Sequence, residues 1–312
     1  MMDFNEFISW SKDNILDFLD DSYRGASVDI NPVLKTGLNY TAMTVRKKNE
    51  TMVPALNLEE HYKDYIKGND PERVISEMAE IVRCRRPDYD ISIFSSYETL
   101  KDRLFIRVCN LTENRELLEK VPHRDTGDLS ITFHVMVHKS DNGISSVMIN
   151  NDIVRSLDID VEALYDDALK SSPDIMPARI ESMMDVIMDS IEAKPDAPLP
   201  SKPFDMIVVT NDVGVDGASA LFYPGVSEMI KEELGGSYYI LPSSIHEMIA
   251  VPVIANSDYR DLEFMVRSIN DSTVSISDRL SDRVYRYDEK SKEIEMASDF
   301  QKRMARERSC ER

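Results

Sequence analysis

The chain has 312 residues, with 37 lysines and arginines against 57 aspartates and glutamates, a formal net charge of −20 at pH 7. An apolar share of 42% and a charged share of 30% describe a globular chain able to bury a core without staples, and its length suggests two domains. Composition excludes a disordered, collagenous or coiled-coil chain, and the surplus negative charge excludes a sequence-general DNA binder, because it repels the phosphate backbone.

Phe4, Phe7, Ile8, Ile15, Phe18 and Leu19 recur at helical spacing and predict an opening amphipathic helix. Extended segments follow over 27–34, 40–46 and 51–56, punctuated by Asn31-Pro32, Thr36-Gly37 and the polar stretch 47–50. A helix over 57–67 stops at Gly68. Another starts at Asp70-Pro71-Glu72, with proline in the first position, buries Val74, Ile75, Met78, Ile81 and Val82, and ends at Pro87. A strand over 104–110 and a short helix over 112–120 precede the clearest hairpin. Its strands are 129–138 and 144–149, around Ser140-Asp141-Asn142-Gly143.

Helices are expected over 153–157, 161–171 and 177–192. The last carries Met183, Met184, Ile187, Met188 and Ile191 on one face, a packing stripe. The segment 194–203, with Pro195, Pro198, Pro200 and Pro203, reads as an extended linker. Beyond it come a strand over 205–210, a polar loop over 211–217, a strand over 218–223 and a helix over 226–234 capped by Gly235-Gly236. Strands over 238–241 and 248–254 flank the segment 242–247. A helix over 258–270 turns Leu262, Met265, Val266 and Ile269 inward, and a hairpin over 283–287 and 293–296 precedes a mildly basic helical tail from 299. This order predicts an α+β protein with mixed or antiparallel sheets and packed helices. Its parts are an N-terminal block (1–193), the linker (194–203), a C-terminal block (204–298) and the tail (299–312).

Cys84, Cys109 and Cys310 are odd in number and widely spaced, which speaks against a disulfide framework or a zinc site and fits a reducing cytosol. The first 21 residues are acidic and interrupted, unlike a signal peptide, and no apolar run matches a bilayer. A cytoplasmic protein with no membrane contact is expected. The densest charge lies over 152–192, with eleven acidic side chains against three basic, and reads as a solvated acidic surface.

P-loop, dinucleotide and nucleophile-elbow motifs are all missing, so no cofactor is expected. His246-Glu247 begins like a metalloprotease motif, but the position four residues after the histidine is Ala250. Ser243, Ser244, His246 and Glu247 remain the catalytic candidates, with the histidine as general base for a serine and the glutamate orienting it. Neighbouring side chains on a strand face opposite ways, so local backbone bonding in a turn is the simpler reading. The segment from Asp212 starts like a calcium loop but has Gly214 and Tyr223 where oxygen ligands belong, and calcium is rejected. His134 and His138 share a strand face yet stand roughly 13 Å apart, at about 3.3 Å per residue, too far for one metal. His123, Asp125 and Asp128 are weak metal candidates, because nothing supplies a second spaced pair of ligands.

Val121-Pro122-His123 with Asp128-Leu129, Ile149-Asn150-Asn151, Thr210-Asn211 and above all the string from Tyr239 to Glu247 resemble an uncharacterised domain-of-unknown-function family abundant in clostridial gut bacteria. The segments 38–46 and 54–65 are similar too, and the likeness runs to about residue 295. A more distant likeness is to a bacillar uncharacterised family with a strand–Pro–His–acid–strand pattern in its C-terminal half. The resemblance implies a bacterial cytoplasmic protein and carries over no catalytic residue, but it directs attention to Ser243, Ser244, His246 and Glu247. The functional expectation is a non-enzymatic acidic interaction protein that binds a basic protein partner. The alternative is a hydrolase using that segment.

Overall fold

The computed structural model describes the chain except for residues 49, 51–52, 85–89, 141–142, 194–205, 243, 255–257 and 311–312. It divides into two compact units, Met1–Tyr89 and Asp90–Arg312.

The first unit opens with α1 (Phe4–Asn14), where the Asp3 carboxylate accepts the Glu6 N–H and the Glu6 carboxylate accepts the Asp3 N–H, a reciprocal capping box. An antiparallel sheet follows in the order β1 (Ser27–Lys35), β2 (Leu38–Arg46), β3 (Ala55–Asn57). β1 runs through Asn31-Pro32 without turning. It is an edge strand, where the missing proline N–H leaves no inner ladder bond unmade. Helices α2 (Leu58–Ile66) and α3 (Pro71–Cys84) complete the unit. Val74, Ile75, Met78 and Val82 of α3 are buried in one core with Phe7, Ile15, Met43, Val45 and Leu58.

The second unit begins with α4 (Tyr97–Leu100), β4 (Leu104–Asn110) and α5 (Arg115–Leu118). Then come β5 (His123–Thr126), β6 (Leu129–Ser140), β7 (Gly143–Met148), α6 (Asn151–Ser156), α7 (Val161–Ile175) and β8 (Ala178–Ser182). α8 (Met183–Ala193), β9 (Ile207–Asn211), α9 (Val226–Leu234), β10 (Tyr238–Leu241) and β11 (Met248–Pro252) follow. α10 (Tyr259–Ser272), β12 (Tyr285–Asp288), β13 (Glu293–Met296) and α11 (Ala297–Cys310) close it. Every strand pairing is antiparallel among the described residues. The fold is α+β.

One sheet runs β13-β12-β10-β11-β9-β8. The other is built on β6, which pairs with β4 and with both β5 and β7. A common core takes Ile106, Ile131 and Phe133 from the smaller sheet and Val209, Ile240 and Tyr285 from the larger. Strand alternation sends Tyr239 and Leu241 to the opposite face, where Val266 of α10 and Ala297 of α11 cover them. α7 guards the β4 edge: the Ile106 N–H donates to Ser172 Oγ at 3.0 Å, and Ser171 Oγ donates to the Leu104 carbonyl at 2.5 Å.

The unit boundary lies at 89/90, away from the proline-rich segment 194–203, which is outside the described residues. Strand pairing is the reason. β8, before that segment, pairs along its length with β9, after it, and both sides share one core. Three elements differ from expectation. The segment 177–192 is not one helix but β8 followed by α8, because its first residues complete the sheet. The segment 218–223 is not a strand but a buried 3-10 turn, Gly217–Phe222, since β9 already has β8 and β11 as neighbours. His123–Thr126, to which the sequence pattern assigns no strand, is β5, which fills the part of the β6 edge that β7 leaves open. No helix among the described residues is long and apolar enough to cross a membrane.

Candidate functional site

The segments Thr210-Asn211 and 242–247 meet in space. β9 ends at Asn211, whose Oδ1 accepts the N–H groups of Val213 and Gly214 at 3.0 and 2.7 Å, and whose Nδ2 donates to the Val215 carbonyl at 2.8 Å. This Asx geometry folds the polar loop back on itself. Asp216 then adopts the left-handed conformation, φ 53°. Gly217 follows in a space that only glycine fits. A Cβ there would collide with Thr210 Oγ1 and come within 2.6 Å of the Asn211 nitrogen and the His246 carbonyl oxygen.

The turn between β10 and β11 is pinned through its backbone. Thr210 Oγ1 donates to the His246 carbonyl at 2.8 Å, the Ala218 N–H donates to Ile245, and the Ile245 N–H donates to Asp278. The imidazole of His246 is bonded at one end and faces a carboxylate at the other. Nδ1 accepts the Asp216 N–H at 3.2 Å, and Nε2 faces Asp278 Oδ2 at 3.7 Å. A neutral ring that accepts at Nδ1 carries its proton on Nε2, on the side of the Asp278 carboxylate. Asp216 continues the chain of polar groups. Its Oδ2 lies 3.2 Å from Arg107 Nε on β4, close enough for an ion pair though not aligned as a hydrogen bond. Both side chains are about three-quarters buried, and they tie the two sheets of this unit together.

Among the described residues, no serine hydroxyl is bonded to the imidazole. Ser244 Oγ accepts the backbone N–H of His246 at 3.0 Å, and Ser243 lies outside the described residues. Glu247 is exposed, and the carboxylate facing the ring belongs to Asp278. A general base needs a free lone pair within reach of the proton it takes. The Nδ1 lone pair is engaged by a backbone amide.

Asp278, Asp216 and Arg107 come to this junction from segments whose patterns do not mark these side chains as partners of His246. The one available signal was the Asp216-Gly217 dipeptide, a marker of unusual backbone.

The metal candidates lie on another edge. His123 Nδ1 donates to the Val121 carbonyl at 3.0 Å, and its Nε2 stands 3.8 Å from Asp125 Oδ1, which also accepts from the Ser130 hydroxyl. Asp128 is engaged elsewhere: Oδ1 lies 2.6 Å from the Tyr285 hydroxyl and Oδ2 accepts from Ser281 Oγ at 2.7 Å. No group of three or more His, Cys, Asp or Glu side chains among the described residues is placed to hold a metal ion. His134 is buried with Nε2 3.1 Å from Thr132 Oγ1, whereas His138 is exposed beyond an irregularity in the β6–β7 ladder. Burial, with the charge of Arg107 adding, holds His134 well below the usual histidine range.

The family model for DUF5688, a family of unknown function, matches residues 4–289. The chain belongs to this family. No curated protein and no solved structure matches it. The match to DUF5688 takes in the junction of Arg107, Asp216, His246 and Asp278 and the Asp128 network, and it ends before α11.

Proposed function

We propose that this member of DUF5688 is a non-enzymatic, cytoplasmic interaction protein whose acidic surface docks a basic protein partner. The observation that supports this reading most directly is the unbalanced charge around α6 and α7. Asp158, Asp160, Asp166 and Asp174 are exposed, and no lysine or arginine among the described residues lies within ion-pair distance of them. Arg155 is engaged with Asp152 and Arg124 with Glu162 at 3.4 Å, which leaves Lys170 of α7, beside Asp167 and Asp174, as the cation set against these acids. An uncompensated patch of this kind steers a positively charged surface towards it and loses that pull as salt screens it.

The hydrolase alternative has weaker support, because among the described residues the His246 ring accepts from the Asp216 N–H and has no serine partner. The experiment compares the full chain with a variant carrying asparagine at positions 158, 160, 166 and 174, each as bait in a bacterial cytoplasmic extract treated with nuclease. Asparagine keeps the Asp160 helix cap, which accepts the Glu162 and Ala163 N–H groups. The reading expects a stoichiometric lysine- and arginine-rich protein on the native bait and its loss from the variant. Equal retention by both baits argues against it.

A further inference from the structure

A cleft of about 800 Å³ opens on the outer face of the six-stranded sheet, between the start of α10 and the length of α11. Its charge is opposite to that of the chain. Arg260, Arg286, Lys302 and Arg308 line it and no acidic side chain among the described residues does, in a protein of net charge −20. Tyr239 and Arg286, cross-strand neighbours on β10 and β12, form the floor. Tyr259 stands on the α10 side and Phe300 on the α11 side.

Arg286 is the informative residue. Its cross-strand neighbour on β13 is Glu295, which is placed to neutralise it. Glu295 instead accepts from Arg303, Nε at 3.2 Å and Nη2 at 2.5 Å, and Arg303 also lies 3.8 Å from Asp288. Arg286 is left with no carboxylate within ion-pair distance among the described residues, and its buried Nε has no hydrogen-bond partner. Its guanidinium lies 4.1 Å from the centre of the Phe300 ring and 5.6 Å from that of Tyr239. Stacking of this kind holds a guanidinium flat and leaves its fork open to a planar or tetrahedral anion. The other cations are less committed. Arg260 pairs with Asp258 at 3.1 Å and Lys302 with Asp299 at 2.7 Å, both exposed pairs that a stronger anion can open, and Arg308 is exposed.

We propose that this cleft binds a nucleoside monophosphate, with the phosphate on Arg286 and Arg308 and the base against the aromatic walls of Tyr259 and Phe300. Guanidinium groups match phosphate in a bidentate fork, and the volume suits one small ligand. The net charge of the chain favours a mononucleotide over a nucleic acid, because a polyanion would meet the acidic remainder of the surface. The site is independent of the acidic surface around α6 and α7.

The test is calorimetric titration of the full chain with AMP, GMP, CMP and UMP, alongside inorganic phosphate. At least one nucleotide is expected to bind ten times more tightly than phosphate or better. Arg286→Gln should weaken that binding at least tenfold and Arg308→Gln several-fold. Arg306→Gln, on the same helix but outside the cleft, should leave it unchanged. Arg308 is exposed, so its variant decides the matter if Arg286→Gln does not fold. The proposal is overturned if none of the four nucleotides binds, if phosphate binds as tightly as any of them, or if neither cleft variant weakens binding.

Discussion

The backbone N–H of Asp216 donates to Nδ1 of His246 at 3.2 Å, and this bond assigns the imidazole its role. It puts the ring proton on Nε2, towards Asp278, and sets the histidine between the loop after β9 and the segment that joins α10 to β12. Long-range proton–nitrogen correlation spectra at neutral pH should show the Nε2–H tautomer. A Nδ1–H tautomer would free the ring from Asp216 and return it to consideration as a base. His246→Ala should cost about 1 kcal/mol by loss of this bond, read as a lower urea midpoint.

Gly217 admits no side chain. Gly217→Ala drives a Cβ into Thr210 Oγ1 and against backbone atoms of Asn211 and His246, which move only if β9 or the β10–β11 turn moves. A loss of about 2–4 kcal/mol is expected, measured by chemical denaturation, in the range of overpacked and backbone-strained sites. Gly214→Ala, with open space around it but φ 71°, should cost less.

The Tyr285 hydroxyl accepts the Asp128 N–H at 2.9 Å and also faces the Asp128 carboxylate and the Thr126 carbonyl. Burial first, and then the Asp128 charge, push its ionisation far above the usual tyrosine range. Tyr285→Phe removes the hydroxyl from a part-buried carboxylate and a backbone amide. It should destabilise the second unit by about 1–3 kcal/mol. An unchanged denaturation midpoint would contradict this account of the β5–β6 turn.

His134 supplies a pH dependence of defined sign. Its native pKa is depressed by burial, so below about pH 6.5, the usual histidine value, the unfolded chain binds a proton that the native chain refuses. Its contribution to stability is complete above that pH and is lost as pH falls towards the depressed native value. In His134→Gln this term is absent. The stability gap between wild type and variant should therefore narrow from pH 7.5 to pH 5, as read from paired denaturation curves. His61, also depressed chiefly by burial, acts in the same direction in the first unit and cancels in the comparison.

The cysteines should separate by reactivity. Cys109 is buried, and burial with the nearby Asp125 charge pushes its thiol up to about 12, so it should resist alkylation at neutral pH in the native protein. Cys84 is exposed and should be modified readily. Peptide mapping after a short iodoacetamide pulse distinguishes the two, and rapid labelling of Cys109 would contradict its burial.

Local pattern carried much of this architecture. The apolar period of α3 and the proline at its start are realised, because that helix buries the face its own sequence marks, whereas β6 is buried on both faces from Leu129 to Val135, with Ser130, Thr132 and His134 included. The departures share one cause. β5, β8 and the turn at Gly217–Phe222 are decided by which sheet edges remain open, a property of partners distant in the chain. The candidate site divides in the same way. Ser244 and His246 stood out through adjacency, but Arg107, Asp216 and Asp278 are brought to the histidine from separate segments. The cationic cleft is assembled from β10, β12, α10 and α11, and no single window of sequence contains it.

The most direct measurement is the salt dependence of partner capture by the full chain. The account predicts a stoichiometric basic protein retained at low ionic strength and released as salt rises, since exposed charges lose their reach within a Debye length of about 10 Å at 0.1 M and about 3 Å at 1 M. A partner held equally at both salt concentrations, or a chain that emerges alone at low salt, would contradict it.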